Sequence, residues 1–251
     1  MDYQVILYLT IFLFGICIGS FLNVCICRIP NKEDIVSERS HCMHCGNSLK
    51  WYDMFPIFSF ILLKGKCRNC GQRISIQYPI IEALNGLLYI LVFWIHGFQL
   101  ISVIYCLLTS ALLVLSIIDF QTYEIPSGIN LFIGSLGIIQ LVLAFPNVME
   151  YLLGLISVSG FLLLIYLLSK GRGIGGGDIK LMAAGGLILG FPAIVLAFIL
   201  GCILGSIIHL IRMRISQQDR VLAFGPYLSA GMLLTMLFGD QIISWYLGLI
   251  M

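Results

Sequence analysis

Two sets of residues in this sequence have the types and spacing of chemistry. The first is Cys42-Met-His-Cys45-Gly46 followed, after 21 intervening residues, by Cys67-Arg-Asn-Cys70-Gly71. Two Cys-x-x-Cys pairs at this separation predict a tetrahedral zinc site of Cys42, Cys45, Cys67 and Cys70. The glycine after each pair supplies the positive φ that a tight sulfur-binding turn needs. Four sulfurs fill the metal shell and leave no place for water, so the zinc is expected to be structural and not catalytic. Redox-active or unpaired thiol pairs are the alternative. His41 and His44 read as surface histidines. Cys17, Cys25, Cys27, Cys106 and Cys202 lie within or at the ends of apolar runs and read as small hydrophobes.

The second set is acidic. Asp119 directly follows the apolar stretch LLVLSII, Asp178 follows Gly175-Gly176-Gly177, and Glu82 lies near the start of another apolar run. An ionisable group deep in hydrocarbon costs roughly 2.5–3.5 kcal/mol, so such residues are functional candidates. Two carboxylates a few ångströms apart share one proton near neutrality. The ionised member can then take a proton from an attacking water while its partner donates to a scissile carbonyl, which is aspartic-protease chemistry. The alternatives are an interfacial residue at Asp119, a helix N-terminal acid at Asp178, and a proton relay in a transporter. Three glycines before Asp178 favour the functional reading, because they weaken the helix and permit close approach of an extended strand.

These residues need elements to position them. Of the 251 residues 60% are hydrophobic and 10% charged, with a mean hydropathy of +1.03. A soluble domain carries about 25% charged residues, so this composition predicts a polytopic membrane protein. The net charge of +2 gives no footing for nucleic-acid binding. Apolar runs of spanning length fall at about 4–25, 79–96, 100–118, 127–146, 150–169, 178–191, 192–211 and 224–248. The boundary at Gly190-Phe191-Pro192 is a tight turn.

Eight of the 14 Lys and Arg residues lie between Arg28 and Arg73. Lys170, Arg172 and Lys180 flank the next basic connection, and Arg212, Arg214 and Arg220 the last. The loops on the other side carry none, so the positive-inside rule puts the basic loops in the cytoplasm and both termini outside. The reducing cytoplasm also disfavours disulfides among the four cysteines. The start MDYQVIL lacks a basic n-region, and the first span is expected to be retained. Glycines four apart at Gly15/Gly19, Gly186/Gly190 and Gly201/Gly205 suit close helix packing in lipid. The GxGxxG at Gly171–Gly176 follows a membrane span and no strand, which excludes dinucleotide binding. The expected fold is all-α: a membrane bundle of about eight spans with a small cytosolic four-cysteine zinc insertion. Residues 1–27 form the first span, 28–78 the zinc-binding loop and 79–251 the remaining bundle.

Taken in order, several stretches resemble type IV prepilin peptidases, the leader peptidase/N-methyltransferase family. They are Gly19-Ser-Phe-Leu-Asn-Val24 with Arg28-Ile-Pro30, the paired cysteines, Asp119 with Ile125-Pro126, Gly175-Gly-Gly-Asp178-Ile-Lys180, and Phe224-Gly-Pro-Tyr227. The glycine–aspartate stretch is similar to the GxGD signature of membrane aspartyl proteases. The resemblance covers about residues 15–230 and implies Asp119 and Asp178 as the catalytic pair. Its implied substrates are prepilins, pseudopilins of protein secretion, or competence pilins, cut between a basic leader and a hydrophobic helix. It further implies N-methylation of the new terminus with S-adenosylmethionine as donor. Asn23, Arg28, Gly65, Lys66 and Glu82 are then donor-binding candidates, with a scaffold role for each as the alternative. Phe120-Gln-Thr-Tyr-Glu-Ile-Pro126 departs from the Gram-negative pattern and is closer to Gram-positive or competence-type members. A zinc metalloprotease would need His-Glu-x-x-His, which is absent. A transporter would place its acids at mid-depth, and an assembly factor would use the loop for docking alone.

Overall fold

The computed structural model describes residues 3–36, 38–215 and 222–250, and among these there is no strand, only two isolated β-bridges. The elements are α1 (Tyr3–Asn31), a 3₁₀ turn (Trp51–Met54), the short α2 (Phe58–Leu62), α3 (Gln77–His96) and α4 (Leu100–Thr122). They continue with α5 (Ser127–Leu143), α6 (Val148–Leu168), α7 (Gly176–Leu189), α8 (Phe191–Ile215) and α9 (Gly225–Ile250). Apart from α2, these helices stand where the eight apolar runs predict them. Six are long and apolar enough to cross a membrane, namely α1, α3, α4, α6, α8 and α9. The protein is a multi-pass membrane protein.

The shorter two have physical reasons. α5 has 17 residues and α7 has 14. At 1.5 Å per residue α7 is about 21 Å long, less than a hydrocarbon core of about 30 Å. It packs against α5, α6, α8 and α9 and buries Leu181, Met182, Leu187 and Ile188, so protein rather than lipid surrounds its backbone. Gly190, at φ +82, closes α7, and α8 begins on the next residue with Pro192 in its first turn. Arg220 lies outside the described residues.

The chain forms two compact units, Met1–Val114 and Leu115–Met251. In the first, α1 lies on α3 with the backbones nearly touching. A Cβ on Gly15 would come 2.7 Å from Gly86 Cα, and one on Gly19 would come 2.7 Å from Glu82 Cα. The Asn85 side chain donates to the Gly15 carbonyl at 2.7 Å and accepts from the Ser110 hydroxyl, which also bonds the Tyr89 hydroxyl. Lipid offers no hydrophobic drive between helices, so this close packing and the buried polar links hold α1, α3 and α4 together. In the second unit α6 meets α7 at Gly154 and Gly186, and α8 meets α9 at Gly201 and Leu228. All three predicted glycine pairs therefore lie at helix crossings.

α1 continues to Asn31, past the apolar run that was expected to end near residue 25. Arg28 in this extension is buried, and its guanidinium donates to the backbone carbonyls of Asp34, Ile35, Glu38 and Arg39 at 2.9–3.5 Å. Those carbonyls satisfy the charge and fold the following loop back on the helix end.

Candidate functional site

Asp119 and Asp178 come from opposite helix ends in the second unit. Asp119 lies in the last turn of α4 and Asp178 in the first turn of α7. Only 4% and 8% of their surfaces are exposed. Asp119 Oδ2 accepts the Gly225 backbone N–H at 2.8 Å, at the first residue of α9. A helix start presents unpaired N–H groups and a partial positive charge, so this carboxylate caps α9. Glycine at 225 makes room for that contact, since a Cβ there would come 2.7 Å from Asp119 Oδ2 and force the carboxylate to shift. Pro226 then continues the helix without needing a partner for its missing N–H.

The connection after Asp119 locks onto the glycine turn before Asp178. A Cβ on Gly177 would meet Ile125 Cβ at 2.8 Å, and Asn130 donates to the Gly177 carbonyl at 3.2 Å. Gly175 precedes α7 in an extended conformation and accepts the Asp178 N–H at 3.2 Å. The close approach expected of a substrate strand is thus taken, at Gly177, by Ile125 of the chain itself. Gly176 faces open space, with nothing within 4 Å of where a Cβ would stand. The Arg212 guanidinium lies 5.8 Å from the Phe120 ring, which brings this basic end of α8 to the end of α4. The capping role of Gly225 and the roles of Ile125 and Asn130 were not read from the sequence. A Gly-Pro opening an apolar run, and a lone asparagine within another, were the available signals.

In the first unit the sulfurs of Cys42, Cys45, Cys67 and Cys70 all lie within 4.8 Å of one another. Cys42 Sγ and Cys70 Sγ are 3.9 Å apart. Zn–S bonds of about 2.3 Å in a tetrahedron put sulfurs about 3.8 Å apart, so the donor set is compatible with zinc. The two knuckles repeat one geometry. Cys42 N–H bonds Asn47 O and Gly46 N–H bonds Cys42 O, just as Cys67 N–H bonds Gln72 O and Gly71 N–H bonds Cys67 O. Gly46 at φ +67 and Gly71 at φ +71 have the predicted turn conformation. The Asn47 backbone draws the Cys45 thiol down. Cys70, although the Gln72 backbone lowers it, is pushed up to about 11 by desolvation and the neighbouring thiols. Neither His41 nor His44 belongs to the cluster, and no cysteine forms a disulfide among the described residues.

A cavity of about 790 Å³ opens between α1, α3 and the cysteine loop. Asn23, Arg28 and Glu82 line it, whereas Gly65 and Lys66 do not. Gly65, at φ +67, accepts the Ile74 N–H in a turn, and the Lys66 side chain is exposed. Asn23 donates to the Gly19 and Tyr78 carbonyls, but its Oδ1 is buried with no partner. Glu82 is buried; its Oε2 accepts the Ile57 N–H at 2.7 Å, and the Ser20 hydroxyl also bonds its carboxylate. A buried acceptor without a donor, beside a buried carboxylate, suits a cationic ligand.

Residues 13–96 match the family described as Bacterial Peptidase A24 N-terminal domain, and residues 106–210 match the Type IV leader peptidase family. The prepilin leader peptidase/N-methyltransferase of Bacillus subtilis (strain 168) is 33% identical, over 94% of this chain and 96% of its own length. The proteins of the same name from Legionella pneumophila and Aeromonas hydrophila are 31% and 32% identical, covering 99% and 94% of this chain and 97% and 92% of their own lengths. No solved structure matches the chain. Similarity of this level, sustained from the first helix to the last and across both domain families, means that the chain belongs to the type IV leader peptidase family.

Proposed function

We propose that this protein is a two-aspartate endopeptidase that removes basic leaders from prepilin-like precursors and then methylates the new N-terminus. The observation that carries the reading is the burial of Asp119 and Asp178 at two helix ends whose flanking segments interlock, Ile125 after the first against Gly177 before the second. One proton shared by the pair leaves one carboxylate as base for the attacking water and the other as acid for the carbonyl oxygen and the departing amine. The α9 amide on Asp119 Oδ2 fixes that carboxylate's orientation and leaves its other oxygen for the reaction. The relatives' name supports prepilins as substrates. The placement of Lys and Arg supports a bacterial cytoplasmic membrane protein whose aspartates and cysteine loop face the cytoplasm, where a basic leader is held.

Residues 28–78 are the zinc-binding loop in this reading, with 1–27 the first span and 79–251 the protease bundle. Zinc on Cys42, Cys45, Cys67 and Cys70 would supply a structural cross-link, its four positions filled by sulfur. S-adenosylmethionine would supply a sulfonium methyl group to the new N-terminal amine, and a cavity of this size suits a ligand of its class. Asn23 and Glu82 would face that cation and Arg28 would hold the cavity's loop wall. Gly65 and Lys66 would act from the loop's edge.

A purified precursor with a basic leader and a Gly-Phe junction tests both activities by product mass. Loss of the leader is expected with or without S-adenosylmethionine, and gain of one methyl group only with it. Glu82→Gln is expected to lower methylation about tenfold or more while cleavage stays within about twofold, because the amide keeps the hydrogen bonds but loses the charge. Unmodified product in every condition would remove the second activity. Gly177→Ala is expected to slow cleavage about 10²-fold by pushing Ile125 and Asp178 apart. Ile125→Gly in the same chain, which removes the Cβ in contact, should recover much of the rate, which an unrelated folding defect would not allow.

A further inference from the structure

Between the cysteine pairs runs Trp51-Tyr-Asp-Met-Phe-Pro-Ile-Phe-Ser-Phe-Ile-Leu-Leu63, thirteen residues with a single charge. A run of this length is too short to span and belongs either in a core or at an interface. It builds no core. Trp51, Phe55, Phe58, Ile61 and Leu62 are exposed by 72%, 55%, 55%, 64% and 80%. That much contiguous apolar surface marks a contact with something other than water.

Its depth is fixed by a tether. The Ile57 N–H donates to Glu82 at 2.7 Å, and Glu82 is five residues along α3 from Gln77, about 7.5 Å up that helix. The middle of the run therefore sits beside the second turn of a helix able to cross a membrane. Ile57 is held at φ +61, a conformation that a β-branched residue adopts only under constraint, and the resulting bend starts α2. Exposed Lys50 and Lys64 stand at the two ends of the run, with Lys66 just beyond. The charge inside it, Asp53, is neutralised by Arg68 at 2.8 Å. Tryptophan and tyrosine at one end, and lysines at both, are the residues that settle at a membrane–water boundary.

We infer that Trp51–Leu63 is an interfacial wedge whose apolar side chains enter the acyl–headgroup boundary while Lys50 and Lys64 meet anionic lipid headgroups. The charge favours lipid over the substrate of the proposed reaction, whose basic leader the same lysines repel. The wedge fixes the height of the cysteine loop and its cavity against the membrane. It stands independently of whether the chain cuts prepilins.

The test uses the full chain with Trp94→Phe and Trp245→Phe, both exposed positions, leaving Trp51 as the single tryptophan, excited selectively beyond the tyrosine absorption. In vesicles of phosphatidylglycerol and phosphatidylcholine, lipids brominated near the top of the acyl chain should quench Trp51 by about twofold or more. Acrylamide should quench it several-fold less than in the unfolded chain. Adding Leu62→Asp should reverse both effects with zinc content unchanged, and removing phosphatidylglycerol should weaken the lipid quenching. Trp51 open to acrylamide and untouched by brominated lipid would overturn the wedge. Shielding that appears only when a prepilin is added would overturn it too, giving the surface to the substrate. Equal quenching without anionic lipid would overturn the role given to the lysines.

Discussion

Cys67→Ser is expected to strip the loop of its metal and open it to trypsin at least about 10²-fold faster than the wild type. Among the described residues from 32 to 76, Cys67 alone is buried. Backbone order across this stretch comes from short turns and the two isolated bridges His41–Ser48 and Lys66–Arg73. A segment with no apolar core cannot offset its conformational entropy by burial, which is why the zinc cross-link proposed for its four cysteines would decide its order. In small metal-dependent modules the binding free energy is the folding free energy, about 10–16 kcal/mol for zinc-finger peptides. Exposed Lys50, Lys64 and Arg73 then become cleavage points, which makes limited proteolysis with metal analysis the measurement. Methyl transfer should fall more steeply than leader cleavage, because the cavity is walled by this loop whereas both aspartates belong to the second unit. A variant that kept its metal, or lost it and stayed as resistant to trypsin, would refute the cross-link.

The helices were legible because lipid imposes one dominant rule: a backbone in hydrocarbon must bond to itself, and apolar runs of spanning length show where. The cysteine knuckles were legible because four ligands and two glycines leave little freedom in how they fold. The glycine pairs on α1, α7 and α8 were legible for the same reason, since close crossings exclude larger side chains. Gly225 was not. Its function depends on a carboxylate 106 residues away, and nothing local to Phe224-Gly-Pro-Tyr227 names that partner. Nor was the path of α1 beyond its apolar run, because Arg28 is satisfied by carbonyls from a loop with no regular pattern. Trp51–Leu63 was not singled out from the sequence, because the run is shorter than a span and its outward face shows only in the exposed side chains of the folded loop. The glycines before Asp178 were read as room for a substrate, and at Gly177 the chain's own Ile125 uses that room.

Asp119→Asn and Asp178→Asn are each expected to reduce leader cleavage by about 10³-fold or more. Losing one positioned acid or base typically costs about 10²–10⁴-fold, and here each carboxylate also sets the proton its partner carries. Asparagine keeps the shape of aspartate, and its oxygen can still accept the Gly225 N–H, so α9 stays capped and the fold is retained. Alanine would lose that cap as well and would mix folding with chemistry. The most direct test is therefore the cleavage rate of one purified precursor by wild type and the two asparagine variants in the same lipid, with thermal unfolding and zinc content measured on the same samples. Two folded, metal-loaded variants that leave the precursor uncut are the result the two-aspartate account predicts. Cleavage within about tenfold of wild type in either variant would contradict it.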